Sequence, residues 1–447
     1  MKNSFVERPR SFCALGGALL AASALPGVVP VIHAAMGCGG SIYWNQYGST
    51  GYLGAGYCGG LAVPSSNIQE SDIVFGGLDR LEEQLKSTVE IMEGELYVVL
   101  TGCTPDIIGD DIDSLVRDFA SRGVPVVGAQ TGGFRGDGRA GYDIVMTALV
   151  ETFVARRSAK VKNKVNLLGL APGQDAFFRG SLLQLRSLLE ALGLTVNSFF
   201  TVKDTLENVR QSGDAELNVV VSEFFGQAAA DAYERTHGVP SLRLPPPVGP
   251  AATEAFLRAV SERLDMPGRV TEGLLAEEKR RYYAYVERVA DAVNDLDWQR
   301  NAVVVGDANY APALTAFLAD DLGWLPRLTV VTTPLEEDGE ARVQAFINRS
   351  RAGELTKVVY ETDPSEVARH FWNIAPRRHD GLHRQSFSPA FVLGSHLERQ
   401  FAADIGADHL TVTAPVGNRV VMSRGYAGFE GGLTLMEDIL TVLAFQR

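Results

Sequence analysis

One stretch of the sequence decides the fold: Leu96-Tyr-Val-Val-Leu-Thr-Gly-Cys103-Thr-Pro-Asp-Ile-Ile-Gly-Asp-Asp-Ile-Asp-Ser-Leu-Val116. Its first five residues are apolar or aromatic and predict a buried β-strand that ends at Thr101-Gly102. Apolar residues then recur at helical spacing, and the carboxylates near the start of that pattern suit the positive end of a helix dipole. We therefore expect Cys103 on the loop that leaves the carboxyl end of a strand, where open α/β sheets bind ligands.

Strand and helix patterns alternate along most of the chain and fall into three series. A basic stretch at 155–164 separates the first two series, and a long helical stretch at 251–296 separates the second from the third. Such alternation is typical of parallel sheets with right-handed crossovers. We predict an α/β protein of three Rossmann-like domains, with mostly parallel sheets flanked by helices. The predicted domains are 1–160, which contains all four cysteines, 161–297, which contains long bridging helices, and 298–447.

Composition excludes several classes of protein. The chain has 447 residues, of which 46% are hydrophobic and 21% charged, as in ordinary globular proteins. A net charge of −13 argues against nucleic acid or an anionic membrane as the main partner. The apolar run 12–35 resembles a secretory signal, but glycines and prolines interrupt it. We predict instead a buried helix from Ala14 to Leu25, a short strand from Val28 to Ile32, and a cytoplasmic location.

Neither of two nucleotide-binding motifs is complete in the sequence. It contains no Gly-x-x-x-x-Gly-Lys run, so we do not expect this chain to bind ATP itself. Gly136-Asp-Gly138-Arg-Ala-Gly141 has the Gly-x-Gly-x-x-Gly spacing, but no acidic residue follows it at the distance of about 20 residues that a dinucleotide site needs, so dinucleotide binding is also not supported.

The cysteines all lie in the first quarter of the chain, at Cys13, Cys38, Cys58 and Cys103. Disulfide pairing is one explanation, but a chain with a large core has little need of it. A metal or iron–sulfur site is the other, and spacing and composition favour it. Because no local Cys-x-x-Cys occurs, zinc-finger spacing is excluded. Cys58 is interpreted most simply as a free buried thiol.

Cys13, Cys38 and Cys103 would leave an iron–sulfur cubane short of its usual four thiolates. A partner subunit would supply the rest, which places the cluster at a subunit interface. The loop at 43–57 carries five large aromatic rings and is predicted to be contact surface. His33 is interpreted as a structural residue rather than a metal ligand.

Several motifs resemble the nitrogenase component 1 family. In the N-terminal quarter they are Phe12-Cys13-Ala-Leu-Gly-Gly, His33-Ala-Ala-Met-Gly-Cys38, Glu70-Ser-Asp-Ile-Val-Phe-Gly-Gly77 and Gly102-Cys103-Thr-Pro-Asp-Ile-Ile-Gly-Asp-Asp111. Near the C-terminus, Thr413-Ala-Pro-Val-Gly-Asn-Arg419 and Gly425-Tyr-Ala-Gly-Phe-Glu-Gly-Gly432 resemble the closing segment of the family's β subunits. The resemblance spans nearly the whole chain.

The resemblance implies a cofactor, partners and a role. In that family, two subunits each give three cysteines to an [8Fe-7S] P-cluster at their interface, and Cys13, Cys38 and Cys103 match those positions. It implies an α₂β₂ heterotetramer that relays electrons from an ATP-dependent [4Fe-4S] reductase protein to a catalytic iron–sulfur cofactor in the α subunit. Ser222 falls where α subunits carry a cofactor cysteine, and no histidine follows His409. The chain therefore resembles a β-type subunit of an oxidoreductase complex and carries no catalytic residue of its own.

Further sequence features bear on which member of the family the chain resembles. Gly133 falls about where β subunits of the molybdenum enzyme carry a serine, the chain is short, and the loop after Cys38 is rich in glycine and tyrosine. The short chain and the glycine- and tyrosine-rich loop resemble the methylthio-alkane reductases, which cleave carbon–sulfur bonds, for example in dimethyl sulfide, to give methanethiol. The alternatives are a vanadium- or iron-only-type dinitrogenase β subunit, a cofactor-assembly scaffold subunit, a tetrapyrrole reductase subunit with a simpler [4Fe-4S] cluster, and a metal-free structural partner.

Overall fold

The computed structural model describes residue 6 and residues 8–38, 63–157, 159–295, 298–375, 387–388 and 390–445. The predicted contact loop at 43–57 and Cys58 lie outside the described residues.

The strands occur in three groups along the chain. They are β1 (Val28–His33), β2 (Leu96–Thr101), β3 (Val126–Ala129), β4 (Val161–Leu168), β5 (Thr195–Asn197), β6 (Ala215–Val220), β7 (Ser241–Arg243), β8 (Asn301–Gly306), β9 (Leu325–Val331), β10 (Lys357–Tyr360), β11 (Ala390–Gly394) and β12 (Asp408–Thr411).

Helices connect these strands. They are α1 (Ala14–Ala24), α2 (Glu70–Phe75), α3 (Leu78–Ile91), α4 (Cys103–Ile108), α5 (Ile112–Ser121), α6 (Gly138–Thr152), α7 (Phe178–Ala191), α8 (Leu206–Gln211), α9 (Gln227–His237), α10 (Gly249–Arg263), α11 (Gly268–Val286), α12 (Ala290–Asp295), α13 (Tyr310–Asp320), α14 (Glu337–Asn348), α15 (Val367–Ile374), α16 (Arg399–Asp404) and α17 (Gly428–Phe445).

The strands of the described residues form three sheets, and every strand pair in them is parallel. The sheet orders are β1-β2-β3, β5-β4-β6-β7 and β10-β9-β8-β11-β12. The predicted α/β class with parallel sheets flanked by helices is therefore confirmed. Each sheet falls in one of the three predicted sequence ranges, while the division into three domains stays a prediction.

Contacts divide the chain into two compact units. The N-terminal unit comprises Ser11–Arg186 and Gly193–Arg243 and contains the first two sheets. The C-terminal unit comprises Leu244–Arg447, with Ser187–Leu192 and the segment up to Arg10, and contains the five-stranded sheet. Strand β2 is buried along its whole length, because α-helices and neighbouring strands cover it.

The apolar run near the N-terminus forms the predicted helix and strand, as α1 and β1. Helix α1 is buried on all sides, which explains why its sequence is apolar all round rather than amphipathic. No described helix is long and apolar enough to cross a membrane.

One prediction at the decisive stretch needs correction. Cys103 does not lie on a loop but is the first residue of the short helix α4, which ends at Ile108. Pro105 lies in the first turn, where its missing N–H costs nothing, and Gly109 follows the helix in the left-handed conformation. The predicted helix with Asp111 at its start follows as the separate α5, capped by the Asp111 side chain.

Candidate metal centre

Strand β2 delivers Cys103 to an exposed position at the carboxyl edge of the first sheet. The strand ends at Thr101, Gly102 caps α4, and Cys103 is an exposed, free thiol. Thr131, in the loop after β3, donates its hydroxyl to the carbonyl of Thr101 at 2.7 Å and its amide to the Thr101 hydroxyl at 2.9 Å. These bonds fix the loop after β3 beside Cys103.

The loop that follows Thr131 is braced from α4. The Asp106 carboxylate accepts the Gly132 amide at 3.2 Å and Nε of Arg135 at 2.7 Å. Arg135 also donates to the Gln130 side chain at 2.6 Å. These hydrogen bonds hold the Arg135 side chain against Asp106 of α4 and Gln130 after β3.

Helix α1 brings Cys13 to the same loop. Cys13 caps α1, and the amide of Ala14 donates to the carbonyl of Gly136 at 2.9 Å. The helix packs closely on α6, since a Cβ atom on Gly17 would lie 1.8 Å from the Gly138 carbonyl oxygen. A Cβ atom on Gly141 would likewise lie 2.0 Å from the Ala14 carbonyl oxygen. Glycine is required at both positions, and this close approach sets the position of Cys13.

Cys13 and Cys103 converge on Gly133, although they are 90 positions apart in the sequence. A Cβ atom on Gly133 would lie 3.1 Å from the Cys103 sulfur and 3.6 Å from the Cys13 sulfur. The amide of Gly133 donates to the Cys103 sulfur at 3.1 Å. An amide donor of this kind stabilises a thiolate and tunes a metal bound to it. The absent side chain at Gly133 leaves the space beside both sulfurs open.

Cys38 lies close enough to the other two cysteines to respond to their charge. It is a free, half-buried thiol on a helical turn that its amide closes by donating to the Ala35 carbonyl at 3.1 Å. Burial raises the pKa of the Cys38 thiol, and the neighbouring Cys103 and Cys13 raise it further. A positive metal centre would reverse this effect by favouring the thiolate.

The three thiols fit a shared multi-metal cluster better than a single ion. Among the described residues, no group of three or more His, Cys, Asp or Glu side chains is arranged to hold one metal ion. Two free thiols face the space beside Gly133 and the third, Cys38, lies near them, so the three offer separate ligands to a larger group whose remaining ligands come from elsewhere. Sequence reasoning found the three cysteines but missed the Gly133 amide, for which the sequence carries no signal.

His33 has a structural role, as interpreted from the sequence. Its ring is fully buried at the end of β1, with Nδ1 2.9 Å from the Ser66 hydroxyl and Nε2 3.0 Å from the Asp110 carboxylate. Asp110 also accepts the amide of Gly77 at 3.0 Å. Burial lowers the pKa of His33, although the neighbouring Asp110 acts to raise it. The two contacts of the ring tie the loop at Ser66 to the start of α5.

Ser222 lies at the carboxyl end of β6, in the second sheet. It is fully buried, and its hydroxyl oxygen accepts the amides of Phe224 at 2.9 Å and Phe225 at 2.7 Å. A Cβ atom on Gly226 would lie 3.0 Å from the backbone of Gly169, which shows how closely the loops meet there. Ser222 therefore caps a turn and does not face open space.

Exposed apolar side chains accompany the cysteines in sequence. Met36 lies two residues before Cys38, Ile107 lies on the helix of Cys103, and Phe134 follows Gly133. They are 69%, 72% and 61% exposed. Phe75, 88% exposed, ends α2, which packs on α4. Several large exposed apolar side chains around one site indicate a contact surface for another protein.

Solved structures share this fold. A chain of "Nitrogenase Cp1 at pH 6.5" matches 100% of this chain and 95% of its own length, with a TM-score of 0.81 and 19% sequence identity. A chain of "Nitrogenase Cp1 at pH 5" matches with a TM-score of 0.69. At this identity the similarity shows the fold alone.

Curated relatives match over most of their length. The nitrogenase iron-iron protein beta chain of Rhodobacter capsulatus is 23% identical over 96% of this chain and 92% of its own length. The nitrogenase molybdenum-iron protein beta chain of Bradyrhizobium diazoefficiens is 25% identical over 98% and 84%. The family model for nitrogenase component 1 type oxidoreductases matches residues 13–444. The chain therefore belongs to the nitrogenase component 1 family of oxidoreductases.

Proposed function

We propose that this chain is the β-type subunit of a nitrogenase-like reductase and that Cys13, Cys38 and Cys103 hold its half of a P-cluster-type [8Fe-7S] group. The observation that carries the proposal is the convergence of Cys13 and Cys103 on Gly133, with Cys38 within range of their charge. A partner α subunit supplies the remaining thiolates, as three cysteines are too few for a complete cluster.

The chain's own groups have defined tasks in this arrangement. The three thiolates bind iron, and the Gly133 amide stabilises the Cys103 thiolate through its hydrogen bond. The Asp106–Arg135 ion pair holds the loop that presents this amide. When bound, a cluster of this type stores electrons and passes them on one at a time.

The exposed apolar side chains around the cysteines support the proposed partners. Met36, Ile107, Phe134 and Phe75 are available to a second protein, and such side chains become buried at stable interfaces. We assign this surface to the α subunit in an α₂β₂ heterotetramer and to the ATP-dependent [4Fe-4S] reductase protein that delivers electrons. We place the complex in the cytoplasm, since free thiols persist in a reducing compartment.

Catalysis is assigned to the α subunit. The corresponding strand end in this chain carries Ser222, whose hydroxyl is buried and capped by two backbone amides. A neutral hydroxyl also binds soft iron weakly. The catalytic iron–sulfur cofactor therefore belongs to the partner, and this subunit relays electrons towards it.

We propose reductive cleavage of methylthio-alkanes as the reaction. Two electrons and two protons convert dimethyl sulfide to methanethiol and methane, so the relay has to deliver two electrons for each molecule cleaved. The sequence feature in support is the loop after Cys38, which is rich in glycine and tyrosine.

Headspace gas analysis tests the reaction. The αβ complex is combined with its reductase protein and ATP, and is supplied either with dimethyl sulfide or with dinitrogen. We expect methanethiol and methane in equal amounts, and no product when the complex carries Cys103→Ala. Ammonia as the main product without methanethiol would establish the dinitrogenase alternative. A complex that reduces neither compound but releases an iron cofactor to another protein would be a scaffold.

A further inference from the structure

The C-terminal unit contains a cavity that the proposed electron relay does not use. Its volume is about 370 Å³, and it lies between α10, α13 and the turn after α14. Alanine, valine, proline and phenylalanine side chains make up most of its lining. Small-molecule sites are typically apolar cavities of roughly 300–1,000 Å³ with a few polar groups, and this cavity falls within that range.

One of the polar groups in the lining is the carboxylate of Asp321, which directly follows α13. It accepts the backbone amide of Ala251, and among the described residues no Lys, Arg or His forms an ion pair with it. Burial, and secondarily the charge of Asp320, raises the pKa of Asp321 to about 7. A carboxylate with little water and no counter-ion is costly, and a bound cation would remove that cost.

A buried hydroxyl lies near Asp321, outside the lining of the cavity. Tyr282, on α11, is 2% exposed, and its hydroxyl makes no hydrogen bond among the described residues. Burial raises the pKa of Tyr282, and the charge of Asp321 adds to this effect. The hydroxyl and the carboxylate are thus near neighbours that do not bond to each other.

Gly249 and two further charged side chains lie close to Asp321. Gly249 has φ +78°, and a Cβ atom there would lie 2.4 Å from the Phe317 ring and 2.9 Å from the Asp321 carboxylate. The other charged groups in the lining are Asp320 and Arg349, while α10 contributes apolar side chains. Arg349 lies over the Phe346 ring at 5.5 Å, and Asp320 accepts the amide of Arg351. Two carboxylates against one guanidinium favour a cation.

We propose that this cavity binds a small organic ammonium ion, with its charged nitrogen against Asp321 and its apolar body against Phe317 and the alanines of α10 and α13. The ammonium group donates to the Asp321 carboxylate, which lies in the lining of the cavity. The site is independent of the cysteines and of the electron relay.

The test uses the full-length chain purified with its partner subunits, and phenethylammonium as the probe. The neutral 2-phenylethanol has nearly the same shape and serves as the control ligand. We expect the ammonium ion to bind at least ten-fold more tightly than the alcohol by calorimetry or ligand-observed NMR. Asp321→Asn should abolish this preference, whereas Asp338→Asn, at an exposed position on α14, should keep it.

Two outcomes would overturn the proposal. The first is equal affinity for the ammonium ion and the alcohol, and the second is an Asp321→Asn variant that binds the ammonium ion as the native protein does. If Asp321→Asn does not fold, the pH dependence of the native protein decides instead. Affinity for the ammonium ion should fall several-fold from pH 8 to pH 6 as Asp321 gains a proton, and a constant affinity over that range would contradict the site.

Discussion

Strands β2 and β6 of the N-terminal unit both end at the carboxyl edge of a parallel sheet, but the side chains that follow them differ in exposure and bonding. Strand β2 and strand β6 are both interior, apolar strands of parallel sheets. Two residues after β2 the chain presents Cys103 exposed, and two residues after β6 it presents Ser222 fully buried. A position at the carboxyl edge of a sheet is therefore not sufficient for a binding site.

The difference lies in which backbone groups meet the side chain. The Ser222 hydroxyl accepts amides two and three residues further along its own turn, which uses up its capacity to accept hydrogen bonds. The Cys103 sulfur instead accepts the amide of Gly133, from a loop 30 residues away. A side chain that is held by a distant loop can remain open to a ligand, whereas a side chain that caps its own turn closes the site.

The largest expected effect comes from removing the exposed thiol of Cys103 after strand β2. Cys103→Ala should abolish electron transfer through the αβ complex, because iron loses a thiolate ligand. Electron transfer is measured as methanethiol formed per minute with the reductase protein and ATP. Cys58→Ser is the matched control and should retain activity, since Cys58 is interpreted as a free thiol. Full activity of Cys103→Ala would break the comparison at its central point.

Filling the space beside the sulfurs should have a smaller effect. Gly133→Val places a branched side chain where a Cβ atom already lies 3.1 Å from the Cys103 sulfur. We expect iron per αβ complex, measured by plasma mass spectrometry, to fall at least two-fold. Gly273→Ala, on α11, is a control because no atom lies within 4 Å of the added Cβ. Unchanged iron in Gly133→Val would show that the cluster does not need this space.

Asp143, which binds the segment that follows Ser222, leads to a prediction on the pH dependence of stability. The carboxylate of Asp143 accepts the amides of Gly226 and Ala229 at 3.1 Å, and burial raises its pKa from 3.8 to about 6. The folded state therefore holds this proton more tightly than the unfolded state does. This carboxyl group should lower the free energy of unfolding by about 1–3 kcal/mol as pH rises from 4 to 6.

Asp143→Asn isolates the effect of that carboxyl group. Urea unfolding at several pH values gives the difference in free energy between native protein and variant. This difference should change between pH 4 and pH 6 and stay level above pH 7. A difference that is constant over the whole range would show that Asp143 titrates normally in the folded protein.

The smallest effect is expected at Ser222. Ser222→Ala leaves the amides of Phe224 and Phe225 without their acceptor, and loss of such a cap costs about 0.5–2 kcal/mol. Chemical denaturation measures the loss. Iron content and activity should stay at the native level because the residue holds no cofactor. A loss of iron in this variant would mean that the two strand ends are functionally alike.

The strand–helix alternation was sufficient to predict the fold class, because burial in parallel sheets leaves continuous apolar strands. Strand β7 was not predicted, since Ser241–Arg243 is short and lies between prolines. The start of α4 at Cys103 was also missed, although Pro105 and Gly109 together are a recognisable signal of a short helix.

The site was only partly predictable from the sequence. The cysteines stood out by their clustering, but sequence spacing does not show that Cys13 and Cys103 meet at Gly133. Their meeting depends on the close packing of α1 on α6 through Gly17 and Gly141, which is a tertiary contact. The family resemblance supplied the grouping of these residues, and local patterns alone did not.

The most direct test of the shared cluster is the iron content of the purified αβ complex, measured for the native chain and for the triple variant Cys13→Ala, Cys38→Ala and Cys103→Ala. The variant should lose about eight iron atoms per αβ pair, the content of one P-cluster-type group, while the partner's catalytic cofactor keeps its iron. Equal iron in the two complexes would contradict the assignment of these three cysteines as ligands.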